Sequence, residues 1–389
     1  MTNEKPVDRQ VPSRPRLLYI DNLRILLTIL VILHHLAIIY GMSGEFAYKE
    51  PGQMGSVASI LMTLFMAINQ AFFMGFFFML SSYFSPGSYD RKGAGPYLKD
   101  RLIRLGIPLL FYIVVISPLL KYRVALHYGF QGSFGGFLSQ YLKNYRGLDV
   151  GPLWFVEALL IFSLFYVLWR LLTKPATTLA PSESKAPSNW AIAGFALVLG
   201  VLTFVVRIWL PVGWMFNLLG LHFPFFVQYI ALFIVGILAY RRNWFAGLSD
   251  AQGKVWALII PVLVVLFFVL FIAGGALEGN LDPFMGGVHW QSLGFSVWEQ
   301  FMCLAMVVAL LVWFRTKFNR QGPLAQKLSG AAYAVYIFHA PLIVLLALAL
   351  QGIRLDLALK WLLVAPVAVS LSFLVGYAIK RLPLARDIL

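Results

Sequence analysis

A single cysteine, Cys303, stands in the whole chain, so no intrachain disulfide can form and no thiolate cluster can hold a metal. Charge is scarce as well. Only 12% of the 389 residues are Asp, Glu, Lys or Arg, against about 25% in a soluble globular domain. Acidic residues are the rarer kind, 16 against 31 Lys and Arg. The six histidines, at positions 34, 35, 127, 222, 289 and 339, have no metal-ligand spacing beyond the adjacent pair. A zinc site is therefore not expected. There is also no internal repeat, and no polar stretch long enough for an appended soluble domain. What is present is overwhelmingly apolar: 60% hydrophobic residues and 16% aromatic, with a mean hydropathy of +0.80. These values imply an all-α polytopic integral membrane protein whose solvent is the lipid bilayer.

Ten apolar stretches have the length to cross a membrane, at about 17–40, 57–80, 106–120, 152–172, 190–210, 223–240, 255–274, 293–314, 331–350 and 359–380. Of the 31 Lys and Arg residues, 22 fall at one set of loop positions and seven at the other. The positive-inside rule then places both termini in the cytoplasm. The same rule accounts for the net charge of +15, so no nucleic-acid partner is called for. Residues 1–16 read as a disordered cytoplasmic tail, 17–380 as one transmembrane domain and 381–389 as a short cytoplasmic tail. The N-terminus is not expected to be a cleaved signal, because charges intrude on the helix entry and no small-residue cleavage site follows.

The first apolar segment, Tyr19 to Gly41, carries Asp21, Arg24 and the pair His34-His35. Ionisable groups inside a membrane segment are costly and face a protein interior or a water-filled cavity. At 100° per residue, His35 lies about 20° from Arg24 around the helix axis and His34 about 80° away. Asp21, Arg24 and His35 therefore form one stripe, and the rise from Arg24 to His35 is about 16 Å. A bare anchor needs no such stripe; the blander readings are a packing hydrogen bond or an interfacial histidine.

Further polar residues sit in other segments. Glu157 and Glu299 lie near the level of His35, and a carboxylate beside an imidazole is an arrangement for general-base chemistry on a hydroxyl. The alternative for each Glu is a protonated side chain acting as helix glue. Arg101 and Arg104, three apart, have the spacing to grip phosphate or carboxylate in bidentate fashion, or to meet lipid head groups. His339 follows Tyr333 and Tyr336 on one helix face, beside the kink-forming Pro341. The Phe72–Phe78 cluster suits an acyl channel or a lipid-facing surface.

Together these stretches resemble the acyltransferase-3 family of integral membrane O-acyltransferases, over Tyr19 to about Lys380. The resemblance rests on Arg24, ten residues, then His35, preceded by Asp21. It rests also on the pair Arg101 and Arg104, on FFFMLSSYF, on PLWFVEALL around Trp154, Phe155 and Glu157, and on AVYIFHAPL with His339 and Pro341. Ser81-Ser82 departs from the family's Ser-Gly and puts close backbone approach at that corner in doubt. The compact form is most similar to members that succinylate periplasmic glucans.

The resemblance implies a donor, cytoplasmic acyl-CoA such as acetyl-CoA or succinyl-CoA, and an acceptor hydroxyl on a cell-envelope carbohydrate, with the protein in a bacterial inner membrane. No tightly bound cofactor and no metal is implied. His35, Glu157 and Asp21 are the expected catalytic set, with His35 deprotonating the acceptor or carrying the acyl group itself. Arg24, Arg101 and Arg104 are the expected donor-binding residues, and Trp154, Tyr336, His339 and Glu299 support them. Two other functions remain open on the residues alone: a transporter or flippase using the buried charges as a relay, and a scaffold for envelope enzymes. A homo-oligomer or an envelope-synthesis partner is open too.

Overall fold

The structure is a computed structural model that describes residues 16–144, 147–173 and 185–389. Most of the expected N-terminal tail (1–15), Tyr145, Arg146 and most of the Pro/Ser/Thr-rich linker (174–184) lie outside the described residues. Ten helices are long and apolar enough to cross a membrane. They are α1 (Leu18–Ile39), α2 (Ser56–Lys92), α3 (Ala94–His127), α4 (Gly151–Leu172), α5 (Asn189–Trp209), α6 (Phe223–Arg242), α7 (Asp250–Ala273), α8 (Trp290–Lys317), α9 (Pro323–Ala349) and α10 (Leu357–Lys380).

Three of these helices run well past the apolar stretches that announce them. α2 continues through Ser85–Lys92 and α3 begins at Ala94, so the basic stretch between them is helical rather than a loop. Gly93, at φ 77°, makes the break that separates the two, a conformation open to glycine because it lacks a Cβ. α9 starts at Pro323 rather than near 331; Pro is tolerated in a first helical turn, where its missing N–H has no partner to lose.

Proline also shapes α3. Two π-helical turns, Leu102–Gly106 and Tyr112–Ile116, precede Pro108 and Pro118 closely. Pro108 has no N–H for the carbonyl four residues back, that of Arg104, and its ring crowds that oxygen. The freed carbonyl finds another donor. The Tyr333 hydroxyl of α9 donates to Arg104 O at 2.5 Å, which ties the widened turn of α3 to α9.

α1 lies inside the bundle, against α2, α8, α9 and α10. Its buried residues include Leu23, Leu27, Val31, Ile32 and Leu36. On one side α2, α5, α6, α7 and α8 pack on each other, and on the other α9 packs on α10. The outermost helix, α7, turns Leu258, Val262, Val265 and Val269 outward, as a helix apolar all round does when its outer face meets lipid. Arg16, Leu17, Ile388 and Leu389 border one cavity, so the two ends of the described chain lie at the same end of the bundle. Residues 381–389 contain one helical turn, Pro383–Arg386.

Candidate active site

A cavity of about 1310 Å³ opens at that end of the bundle, which is also the end rich in Lys and Arg. Its wall carries Asp21 and Arg24 of α1, Arg91 and Lys92 of α2, Arg101 and Arg104 of α3, Arg241 of α6 and Lys380 of α10. The acids there are already engaged. Asp21 accepts from Arg16 Nε at 2.6 Å and meets Arg24 Nη1 at 3.3 Å. Asp90 is gripped by Arg241 at 2.5 and 3.0 Å and meets Arg170 at 3.1 Å. Asp100 pairs with Lys92.

Among the described residues, Arg91, Arg101, Arg104 and Lys380 have no carboxylate partner. Arg101 donates to Ser85 Oγ at 3.2 Å and lies over the Tyr97 ring at 5.1 Å. The Arg24 guanidinium lies 5.0 Å from the centre of the Phe84 ring, the residue at the bend in α2. A cavity with surplus guanidinium forks and aromatic faces suits an anion with several phosphates.

Deeper in, the wall becomes apolar, through Phe77, Phe155, Val156 and Leu159, and ends near Thr28 and Tyr336. The Tyr336 hydroxyl donates to Pro152 O. One turn further along α9, His339 Nδ1 lies 2.7 Å from the Tyr336 carbonyl. His339 Nε2 lies 2.9 Å from His35 Nδ1 on α1. A carbonyl only accepts, so His339 Nδ1 carries a proton. For two neutral rings the remaining wiring has one solution: His339 Nε2 accepts from His35 Nδ1–H, and His35 Nε2 keeps a free lone pair. The tautomer of His35 is thus fixed by its neighbour, with the lone pair on Nε2.

His34 takes the other direction. It is buried, with Nδ1 3.2 Å from Asn69 Nδ2 and its ring 5.0 Å from Phe73. The helical angle that separates the two histidines in sequence separates them in space.

The remaining expected residues are dispersed. Trp154 stacks on Tyr229 of α6 at 5.5 Å. Glu157 is buried with Oε2 unpartnered, and no hydrogen bond joins it to His35. Glu299 lies 2.7 Å from Arg207 Nη2, both side chains almost fully enclosed. Arg207 also packs under Phe225 and Phe295, at 5.2 and 5.9 Å. Nearby, Gln228 donates to Ala71 O at 2.8 Å and to Gln300 Oε1 at 3.0 Å. Arg207 did not stand out in the sequence. The available signal was its place inside an apolar stretch, where a cation calls for a buried acid.

Among the described residues, no group of three His, Cys, Asp or Glu is placed to hold a metal ion. Cys303 is buried and free.

The chain matches the family described as Acyltransferase domain across residues 17–381. Glucans biosynthesis protein C of Escherichia coli O1:K1 / APEC is 26% identical over 349 residues, covering 85% of this chain and 83% of the relative. The protein of the same name from Escherichia coli strain K12 / DH10B is 26% identical over 346 residues, with the same coverage. No solved structure matches the chain.

Proposed function

The chain belongs to the acyltransferase-3 family of membrane proteins, and we propose that it transfers an acyl group from acyl-CoA to a hydroxyl of a cell-envelope carbohydrate. The observation that carries this reading is the sequence of contacts along α9: Tyr333 and Tyr336 line the basic cavity, and His339, one turn further and outside that lining, meets His35. Arg24, Arg101 and Arg104 hold the phosphates of the donor. The pantetheine arm runs past Phe77, Phe155 and Tyr336, over about the 16 Å rise from Arg24 to His35.

The chemistry needs one base. His35 Nε2 takes the acceptor's hydroxyl proton as the oxygen attacks the thioester carbonyl. The carbon–sulfur bond breaks, and the thiolate leaves and receives that proton from the His35 imidazolium. During the step Nδ1–H of the imidazolium stays bonded to His339 Nε2, which orients the ring and eases its charge. Asp21 acts one step away, holding Arg24 towards the cavity. Glu157, whose Oε2 is buried without a partner, does not line the cavity that Phe155 and Val156 border, and no step is given to it.

In this reading the basic cavity faces the cytoplasm, as the positive-inside rule favours and where acyl-CoA is, and the bacterial relatives favour a bacterial inner membrane. Acetyl and succinyl donors both fit this scheme. The name of the relatives, glucans biosynthesis protein C, favours a glucan as acceptor.

The test is transfer itself. Protein in nanodiscs is incubated with radiolabelled acetyl-CoA or succinyl-CoA and a periplasmic glucan extract, and label is followed into the glycan. Label in the glycan with release of free thiol supports the reading. Movement of a solute across proteoliposomes without thiol release would instead point to transport.

A further inference from the structure

The His35 ring has a second neighbour that does not belong to the donor route. Phe46, from the loop between α1 and α2, stacks on it with centroids 5.0 Å apart and planes 24° apart. This loop lies at the end of the bundle opposite the basic cavity, because α1 runs from one end to the other. One side of His35 thus faces His339 and another is covered by an aromatic ring delivered from that end.

The loop is tied down along its second half. Glu50 N–H donates to Ile39 O at 2.8 Å, and Lys360 of α10 pairs with the Glu50 carboxylate. Leu357 N–H donates to Gln53 O at 3.2 Å, and Gly55 N–H to Asp356 Oδ2 at 2.9 Å. The first half is bonded to α1 at its start, with Gly41 N–H on Ile38 O at 3.3 Å and Met42 N–H on Ala37 O at 3.0 Å. Gly41 and Gly44 have φ of 101° and 134°, in the region that favours glycine. Ser43, Gly44 and Glu45 are exposed, while Phe46 is half-buried. Glu45 lies close enough to His222, in the loop before α6, to raise its proton affinity against the burial that lowers it. The turn that carries the Phe46 ring onto His35 thus also carries a carboxylate, Glu45, that acts on an imidazole of the loop before α6, and an aromatic face beside polar groups is a common makeup of small-molecule sites.

We propose that the Gly41–Phe46 turn is the acceptor's doorway, and that Phe46 positions the acceptor sugar over His35 and keeps water off it until that sugar arrives. This rests on the acyl-transfer reading above. In productive turnover the sugar's flat apolar face takes the place against Phe46, its hydroxyl gives a proton to His35 Nε2, and the oxygen displaces the thiolate from the acyl carbon. If water enters instead, the same bonds break: water gives its proton to His35, its oxygen joins the acyl carbon, and free acid and free thiol result. Shielding His35 from water is what separates transfer from hydrolysis. Phe46 is a positioning residue, since it acts through the acceptor and through the His35 ring.

The test uses full-length protein in nanodiscs, as wild type, Phe46→Ala and Phe46→Trp. Acetyl-CoA is supplied with and without a glucan oligosaccharide fraction, and free thiol and acylated glycan are measured together. Phe46→Ala is expected to lose transfer by about 10- to 100-fold, the scale of a misplaced reactant, while thiol release without acceptor rises. Phe46→Trp restores the coupling, and coenzyme A affinity is the same in all three. A second readout needs no turnover: carbethoxylation of His35 by diethylpyrocarbonate, located by tandem mass spectrometry, speeds up in Phe46→Ala and returns to the wild-type rate in Phe46→Trp. Unchanged His35 labelling in Phe46→Ala overturns the proposal, and so does an unchanged ratio of transfer to hydrolysis. Faster labelling in Phe46→Ala, with no acyl transfer even by wild type, sinks the acyl-transfer reading and leaves the shielding by Phe46 standing.

Discussion

His35 Nδ1 and His339 Nε2 lie 2.9 Å apart although 304 positions separate them in the chain. The contact joins the first membrane helix to the ninth and fixes which nitrogen of His35 is free. Its consequence is kinetic. His339→Ala removes the acceptor that holds the His35 tautomer, and kcat is expected to fall by about 100-fold, the scale of a small misplacement at a reacting centre. Coenzyme A affinity stays at the wild-type level. His339→Gln keeps a carbonyl oxygen that can accept from Nδ1 and recovers part of the loss. A His339→Ala protein whose coenzyme A affinity falls as far as its kcat would show that the residue only holds the bundle together.

The cavity arginines give a binding prediction. Arg101→Ala or Arg104→Ala removes one guanidinium from a multiply charged ligand, which costs about 1.5–3 kcal/mol for a hydrogen bond to a charged group, or about 10- to 150-fold in donor affinity. Lys at either position keeps the charge without the fork and is an imperfect substitute. Titration calorimetry with coenzyme A on monodisperse protein checks this. Equal affinities would reduce both residues to topology signals.

Arg207 and Glu299 make the opposite prediction. Their charges are 2.7 Å apart and enclosed, and neither residue lines the basic cavity. Removing one partner strands the other, at a cost of about 3–5 kcal/mol. Glu299→Leu is therefore expected to lower the melting temperature and the yield, with unchanged coenzyme A affinity in the protein that folds. The pair of changes Arg207→Leu with Glu299→Leu recovers stability. If the single change abolishes acyl transfer at full stability, Glu299 belongs to the chemistry.

His222, in the loop before α6, gives a pH dependence. Burial holds its imidazole below the usual value of 6.5, only partly offset by Glu45 and a hydrogen bond with the Trp214 backbone. The unfolded chain therefore binds this proton more readily than the folded one. Its contribution to stability is intact above 6.5, declines as the pH falls through the lower folded value, and then levels off. Melting curves of wild type and His222→Gln across that window should converge above it and differ in slope within it. Parallel curves throughout would contradict the assignment.

Much of this was legible in the sequence because lipid enforces it. A bilayer admits only internally bonded backbone, so apolar length announces each of the ten helices. That Asp21 and Arg24 share a face was readable because helix geometry alone decides it, and both line the cavity. The His35–His339 contact was not, since it depends on how α1 and α9 dock. The first eight residues of α9, PLAQKLSG from Pro323, mix Pro, Gln, Lys, Ser and Gly with two leucines, and hydropathy does not register them as part of the span. The pairing of Arg104 O with Tyr333 follows from Pro108, but only once the partner helix is known. Glu157 and Glu299 looked alike in sequence. Arg207 distinguishes them, and a lone arginine at the end of an apolar run does not say which acid it meets.

A base role for His35 Nε2 in acyl transfer is open to single-turnover kinetics. Protein preloaded with labelled acetyl-CoA is mixed with glucan oligosaccharide, and the acylated product is counted for wild type and His35→Gln, with coenzyme A affinity measured on the same samples. His35→Gln is expected to bind coenzyme A like wild type and to transfer about 100- to 10,000-fold more slowly, the range for loss of a general base. A His35→Gln protein that transfers at the wild-type rate would contradict it.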